Sequence, residues 1–288
     1  MDFRTDLAIE RSEALGEKIP TGVKCETADK GDIKITRIEV ENEEGERAIG
    51  KPKGKYITVE VPPFKRNSEF DENTVEIIAS ELCSLLPENG TVLVAGLGND
   101  DITPDALGPE FSQRVFATRH IEKEFSKSLG LGELRPVASM IPGVLGKTGI
   151  ETSETLEGTV RKIKPSAVIT VDALAARKLS RLGCTIQMSN AGVVPGSGVG
   201  NARAEISEKS LKVPVIAIGV PTVVDAATLV SDLTGEVDEK IIREGADMMI
   251  TPREIDLVID RAARLLALCV NKALQPHLSV DDLMMLFS

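Results

Sequence analysis

From about residue 72 the chain alternates short β-branched apolar runs with segments of helical spacing, and that rhythm leaves few folds open. Thr91-Val-Leu-Val-Ala95, Ala167-Val-Ile-Thr-Val171 and Val213 to Ile218 are apolar runs of strand length, as expected of strands covered on both faces. Thr74 to Leu86 places Val75, Ile78, Ala79, Leu82, Leu85 and Leu86 at helical spacing, with Pro87 as its stop. Further helices are predicted over Leu107 to Phe125, over Ser153 to Ile163 with Thr152 or Ser153 as N-cap, and briefly from Asp172 to Leu182. Arg135 to Ile141 and Thr185 to Met188 read as strands. Pro221 to Leu229 starts another helix, and Ile255 to Leu274 is a long amphipathic one, begun by Thr251 as N-cap and Pro252 at the first helical position. The alternation predicts a doubly wound, mostly parallel α/β sheet with helices on both faces. At 42% hydrophobic and 3% aromatic residues, its core is aliphatic.

The N-terminal part reads differently. Residues 4–30 are polar and loosely patterned, whereas Ile33 to Val40 and Tyr56 to Val61 alternate with period two. These two strands predict an antiparallel hairpin, as an edge or flap beside the main sheet, with residues 41–54 as the turn or loop between them. The 288 residues are expected to form a single domain: a segment 1–70 with the hairpin, an α/β core 71–275, and a loosely constrained tail 276–288.

Composition excludes several functions. A net charge of -11 argues against nucleic-acid binding, which needs phosphates neutralised. The four cysteines are scattered, without CxxC spacing, which suits a reducing compartment. The first residues are charged and lack the apolar stretch of a secretory signal, and no run is long enough to span a membrane. A cytoplasmic location is expected. The two histidines, His120 near a helix end and His277 in the tail, form no metal-ligand spacing, and neither a dinucleotide fingerprint nor a phosphate-loop Lys-Ser/Thr pair is present. No metal or cofactor is expected. Cys83 falls at an apolar helix position and reads as core.

Two aspartates carry the chemistry. Asp105 follows the Thr91–Ala95 run in a loop stiffened by Pro104 and Pro109, and Asp172 ends the Ala167–Val171 run. Strand C-termini of a parallel sheet face one crevice, where ligands bind. Two carboxylates there can share a proton and activate water, which points to a peptide or amide hydrolase. The alternative for both is structural, as helix N-caps or an Asx-turn. The loops Gly96-Leu-Gly98-Asn99 and Gly196-Ser-Gly198-Val-Gly-Asn201 shape the crevice, and nearby Arg203 is placed to hold a carboxylate or carbonyl. Glu151, Asp101 and Asp225 receive no role.

The chain resembles the germination protease family of spore-forming bacteria. The resemblance runs through Arg4-Thr-Asp-Leu-Ala8, Gly96-Leu-Gly-Asn99, Thr103-Pro-Asp-Ala-Leu-Gly-Pro109, Thr118-Arg-His120 and Pro142-Gly-Val144. It continues through Thr148-Gly-Ile-Glu-Thr-Ser153, Asp172-Ala-Leu-Ala-Ala-Arg177, Pro195-Gly-Ser-Gly-Val-Gly-Asn201, Ile216-Ala-Ile-Gly219 and Pro221-Thr-Val-Val-Asp-Ala226. It implies an atypical aspartic-type endopeptidase that degrades small acid-soluble spore proteins at germination. It also implies a fold akin to hydrogenase maturation endopeptidases, Asp105 and Asp172 as the catalytic pair, a homotetramer, and the spore core as its place. Two features depart from the family pattern. Only Met1-Asp2-Phe3 precede the Arg4 string where the family's zymogens carry a prosegment, and Ser231 to Glu244 is short where some members carry a polar insertion. Two rival functions stay open: a metal-guided maturation endopeptidase of the hydrogenase type, and a non-catalytic module binding an extended peptide. A nucleotide-binding protein is a weaker third.

Overall fold

The computed structural model describes residues 5–16, 19–65, 71–197, 200, 202–234 and 248–286. Among them, nine strands build one sheet. They are β1 (Val23–Lys30), β2 (Ile33–Val40), β3 (Gly54–Glu60), β4 (Val92–Gly96), β5 (Val137–Met140), β6 (Ala167–Ala176), β7 (Thr185–Ser189), β8 (Val215–Asp225) and β9 (Met249–Ile250). The order is β1-β2-β3-β7-β8-β6-β4-β5, with β9 on β8. The run β8-β6-β4-β5 is parallel, as the βα rhythm predicts, and β1-β2-β3-β7-β8 is antiparallel.

The helices are α1 (Ala8–Glu13), α2 (Glu43–Ile49), α3 (Glu72–Cys83), α4 (Leu107–Ser112), α5 (Lys123–Ser128), α6 (Leu145–Thr148), α7 (Thr152–Ile163), α8 (Glu208–Leu211), α9 (Ala226–Thr234), α10 (Ile255–Leu274) and α11 (Val280–Leu286). Strand alternation sends Val92, Val94, Ile169 and Ile216 to a core shared with α3, α4 and α10. Leu93, Ala95, Val168 and Val215 point the other way, against Leu156 and Val160 of α7 and Leu211 of α8. The sheet is therefore covered on both faces in its parallel half. That is why its strands are apolar without a wet side.

Several expectations need correcting. Of the two expected placements, the N-terminal strands take the edge of the main sheet and not a flap. β2 and β3 pair as predicted, but β3 also pairs with β7, so the hairpin extends the main sheet, and β1 adds a strand that the polar sequence 23–30 conceals. Residues 43–49 are helical rather than loop: the Asn42 side chain accepts from the Gly45 N–H at one end, and Gly50 closes the other in the left-handed conformation. The helix predicted over Leu107 to Phe125 breaks after Ser112, because the following backbone bonds elsewhere: the Phe116 N–H donates to Asn271 and the Arg119 N–H to Val137 O. Glu151, not Thr152 or Ser153, caps α7, in a reciprocal box with Glu154.

The strand through Asp172 continues to Ala176, and only a short 3₁₀ turn, Leu179–Arg181, follows. β8 likewise runs through Pro221 to Asp225, so that the helix expected at Pro221 begins at Ala226. Proline is tolerated there because Pro221 pairs with Leu174 at an irregularity in the β6–β8 register. α10 spans its predicted residues, but Glu254 is the N-cap, and the Thr251 hydroxyl donates to Thr222 O instead. The tail is not loose, since Leu278, Val280 and Leu283 are buried. Cys83 is exposed rather than core, and Cys269 is the buried cysteine. His120 lies in an exposed turn rather than at a helix end.

Candidate active site

The site lies where β4 stops and β6 does not. The last β4–β6 pair is Gly96 with Val171, so β6 emerges beyond its neighbour at Asp172. β4 hands over to Leu97, whose N–H donates to Val171 O, and the chain then turns sharply. Gly98 makes that turn at φ +111°, and a Cβ there would fall 2.1 Å from Asp105 O. Gly96 and Gly108 touch backbone to backbone, since a Cβ on Gly96 would stand 1.9 Å from Gly108 O. These contacts pull the Thr103–Asp105 turn in against the end of the sheet. There the Asn99 N–H donates to Asp105 Oδ2 at 2.8 Å, which fixes the carboxylate on its loop.

A cavity of about 770 Å³ opens at this point, and both Asp105 and Asp172 line it. Asp172 is 7% exposed. Burial, then the charges of Asp105 and Asp6, push its carboxyl up to about 8, against the bond that the Ala173 N–H donates at 3.0 Å to its Oδ1. Burial also raises Asp105, opposed by the Asn99 N–H. Asp172 therefore keeps its proton to a higher pH than an ordinary carboxyl. Both carboxyls face the same space.

A sequence model described as germination protease matches residues 5–244. The chain belongs to the germination protease family. Among curated relatives, the germination protease of Caldanaerobacter subterraneus subsp. tengcongensis is 42% identical over 98% of this chain and 97% of its own. That of Clostridium tetani is 41% identical over 98% of both, and that of Bacillus velezensis 36% identical over 97% of this chain and 95% of its own. A solved [NiFe] hydrogenase maturation protease, HycI of Thermococcus kodakarensis, covers 66% of this chain at 16% identity with a TM-score of 0.38. That likeness is too slight to bear on the site. Membership in the germination protease family makes the chain a peptidase.

For a germination protease the remaining lining is informative. Gly98, Asn99 and Gly196 border the cavity, whereas Gly96 is buried against Gly108 and does not reach it. Gly198 and Asn201 lie outside the described residues. Glu151 and Arg203 line the cavity together, 3.8 Å apart. Asp101 does not: it pairs with Lys147 at 2.7 Å on the surface. Asp225 is buried at the end of β8, where its Oδ1 accepts from the Thr228 N–H at 2.9 Å, the role of a helix cap. Neither Asp105 nor Asp172 caps a helix.

Sequence reasoning missed several lining residues, among them the charged Asp6, Lys51 and Glu205. The Asp6 N–H donates to Ala175 O, and the Ala175 N–H donates to Asp6 Oδ2, both at 2.9 Å. Lys51 Nζ donates to Asp6 O at 2.9 Å, and burial lowers its ammonium below the ordinary lysine range. Asp6 stood within the Arg4–Ala8 string, but nothing local shows that residue 6 meets residue 175. Among the described residues no group of three His, Cys, Asp or Glu side chains has metal-binding geometry.

Proposed function

We propose that the protein is an endopeptidase that hydrolyses small acid-soluble spore proteins at germination, with Asp105 and Asp172 as the catalytic pair. One observation carries the reading: the buried Asp172 carboxyl, pushed up to about 8, and the half-buried Asp105 carboxyl face one cavity large enough for a peptide segment. Asp105, held by the Asn99 N–H, acts as the base and takes a proton from water as that water attacks the scissile carbonyl. Asp172, protonated, donates a hydrogen bond to the carbonyl oxygen and then supplies the proton to the leaving amine. The proton on Asp105 then passes to Asp172, which restores the pair for the next turnover.

The lining gives the substrate its bearings. Asn99, Gly196 and the Arg203 guanidinium border the cavity beside the pair. The small residues admit an extended backbone, and Arg203 offers a cation to a substrate carbonyl or carboxylate. No cofactor enters these steps. The family resemblance supports a cytoplasmic enzyme of the spore core acting as a homotetramer, which sedimentation of the purified chain checks.

The test is cleavage of a small acid-soluble spore protein, with fragments read by mass spectrometry. Asp105→Asn and Asp172→Asn should each lower kcat by about 10³-fold or more while leaving circular dichroism unchanged. Full activity in either variant overturns the dyad. For the wild type, kcat/KM should fall above pH about 8, as Asp172 loses its proton, and fall again in acid as Asp105 gains one.

A further inference from the structure

Beyond Val171, β6 has lost β4 as a partner on one edge, yet its N–H groups still need acceptors. Acidic side chains supply them. Ala173 donates to Asp172 itself, Ala175 to Asp6, and Arg177 and Lys178 to Glu10. The N-terminal segment is thus laid along the exposed edge of the catalytic strand. Leu7, Ala8 and Ile9 hold it there by packing with Leu174 and Ala176.

Asp6 does more than satisfy one amide. Its Oδ1 accepts from Ser197 Oγ at 3.0 Å, its Oδ2 from Ala175, and its carbonyl takes both Lys51 Nζ at 2.9 Å and Gln187 Nε2 at 3.0 Å. Two neutral donors, the Ser197 hydroxyl and the Ala175 N–H, hold the carboxylate, while the Lys51 ammonium donates to the residue's carbonyl. It lines the cavity with Asp172.

We propose that Asp6 is a positioning residue of this peptidase site: clamped to the β6 edge, it sets a third negative charge beside Asp172 and so keeps Asp172 the proton donor of the pair. The inference rests on the dyad proposed above. Asp105 faces Asp172 from the β4–α4 loop and Asp6 from the N-terminal segment. Lys51 tempers Asp6 from the loop before β3, and Arg11 in turn acts on Lys51. Glu151, Arg203 and Glu205 line other walls of the cavity.

The titration of Asp172 is the readout, followed by ¹³C-carboxyl NMR on the full chain, beside the pH profile of cleavage. Asp6→Asn removes the charge and keeps the shape, so the Asp172 midpoint should fall by about one pH unit, with the alkaline limb of kcat/KM following it. Lys51→Met removes a cation near Asp6 and should move the midpoint upward. Opposite shifts are the signature of an electrostatic role. An unchanged midpoint in folded Asp6→Asn, or shifts of the same sign in both variants, overturns the proposal. If Asp6→Asn does not fold, an upward shift in Lys51→Met supports the proposal and no upward shift overturns it. NMR reads the Asp6–Asp172 coupling whether or not spore proteins are cut, so failure of the peptidase reading shows separately, as absent cleavage by the wild type.

Discussion

A carboxyl as deeply buried as Asp172 links the proton on one side chain to the stability of the whole chain. Its folded value, about 8, lies above the ordinary 3.8. Below the lower value both folded and unfolded chains are protonated there, and burial of the group is tolerated in full. As pH rises toward 8 the unfolded chain ionises first, so stability falls by up to about 1.4 kcal/mol per pH unit. Asparagine does not titrate. Asp172→Asn should therefore gain Tm relative to the wild type between pH 5 and 8.5, and calorimetry at both ends tests this. A Tm difference that stays flat would show the group already charged in the folded state. Gly98 sets the other limit at this scale. With φ at +111° and Asp105 O in the way, Gly98→Ala should cost about 1–3 kcal/mol in urea unfolding and displace Asp105, lowering kcat several-fold.

Among the elements, α10 is more than a lid on the sheet. Its apolar face was plain in the sequence, but two of its buried polar residues redirect another part of the chain. Asn271 accepts from the Phe116 N–H at 2.8 Å and donates to Arg114 O at 3.0 Å. Gln275 does the same for Arg135, through its Oε1 and Nε2, both at 2.9 Å. The two Asn271 bonds help end the helix that helical spacing predicts over 107–125, because backbone groups held by α10 cannot stay in a ladder of their own. Asn271→Leu should strand one buried donor and one acceptor and cost about 2–4 kcal/mol, read as a lower urea midpoint at unchanged m-value. The opposite lesson comes from α2. Its cap at Asn42 and its glycine at Gly50 were visible as letters, yet the run between them is too charged to announce a helix by apolar spacing.

Over the whole molecule, β7 and β8 join the antiparallel half to the parallel half without a break in the sheet. The chain should accordingly unfold as one unit. Tyr56 is the only tyrosine, and there is no tryptophan. It is buried on β3 in the antiparallel half. Its fluorescence reports that half, while far-UV circular dichroism weights the helices of the other. The two denaturation curves should coincide, and separated midpoints would mean two independent units.

The sequence by itself determined the parallel strands, the helices α3, α7 and α10, and the two aspartates. Each of these rests on spacing within some twenty residues, which chain geometry alone translates into faces and ends. Only the tertiary structure decided that β6 outruns β4, that Asp6 is laid beside Asp172, and that Lys51 enters the same cavity. Those contacts join residues 6, 51, 172 and 187, whose meeting depends on the order of strands in the sheet. Hydrophobic patterning says which face of a strand is buried. It does not say which strand lies next to it, nor where the neighbour ends, and here the end of β4 is what opens the site.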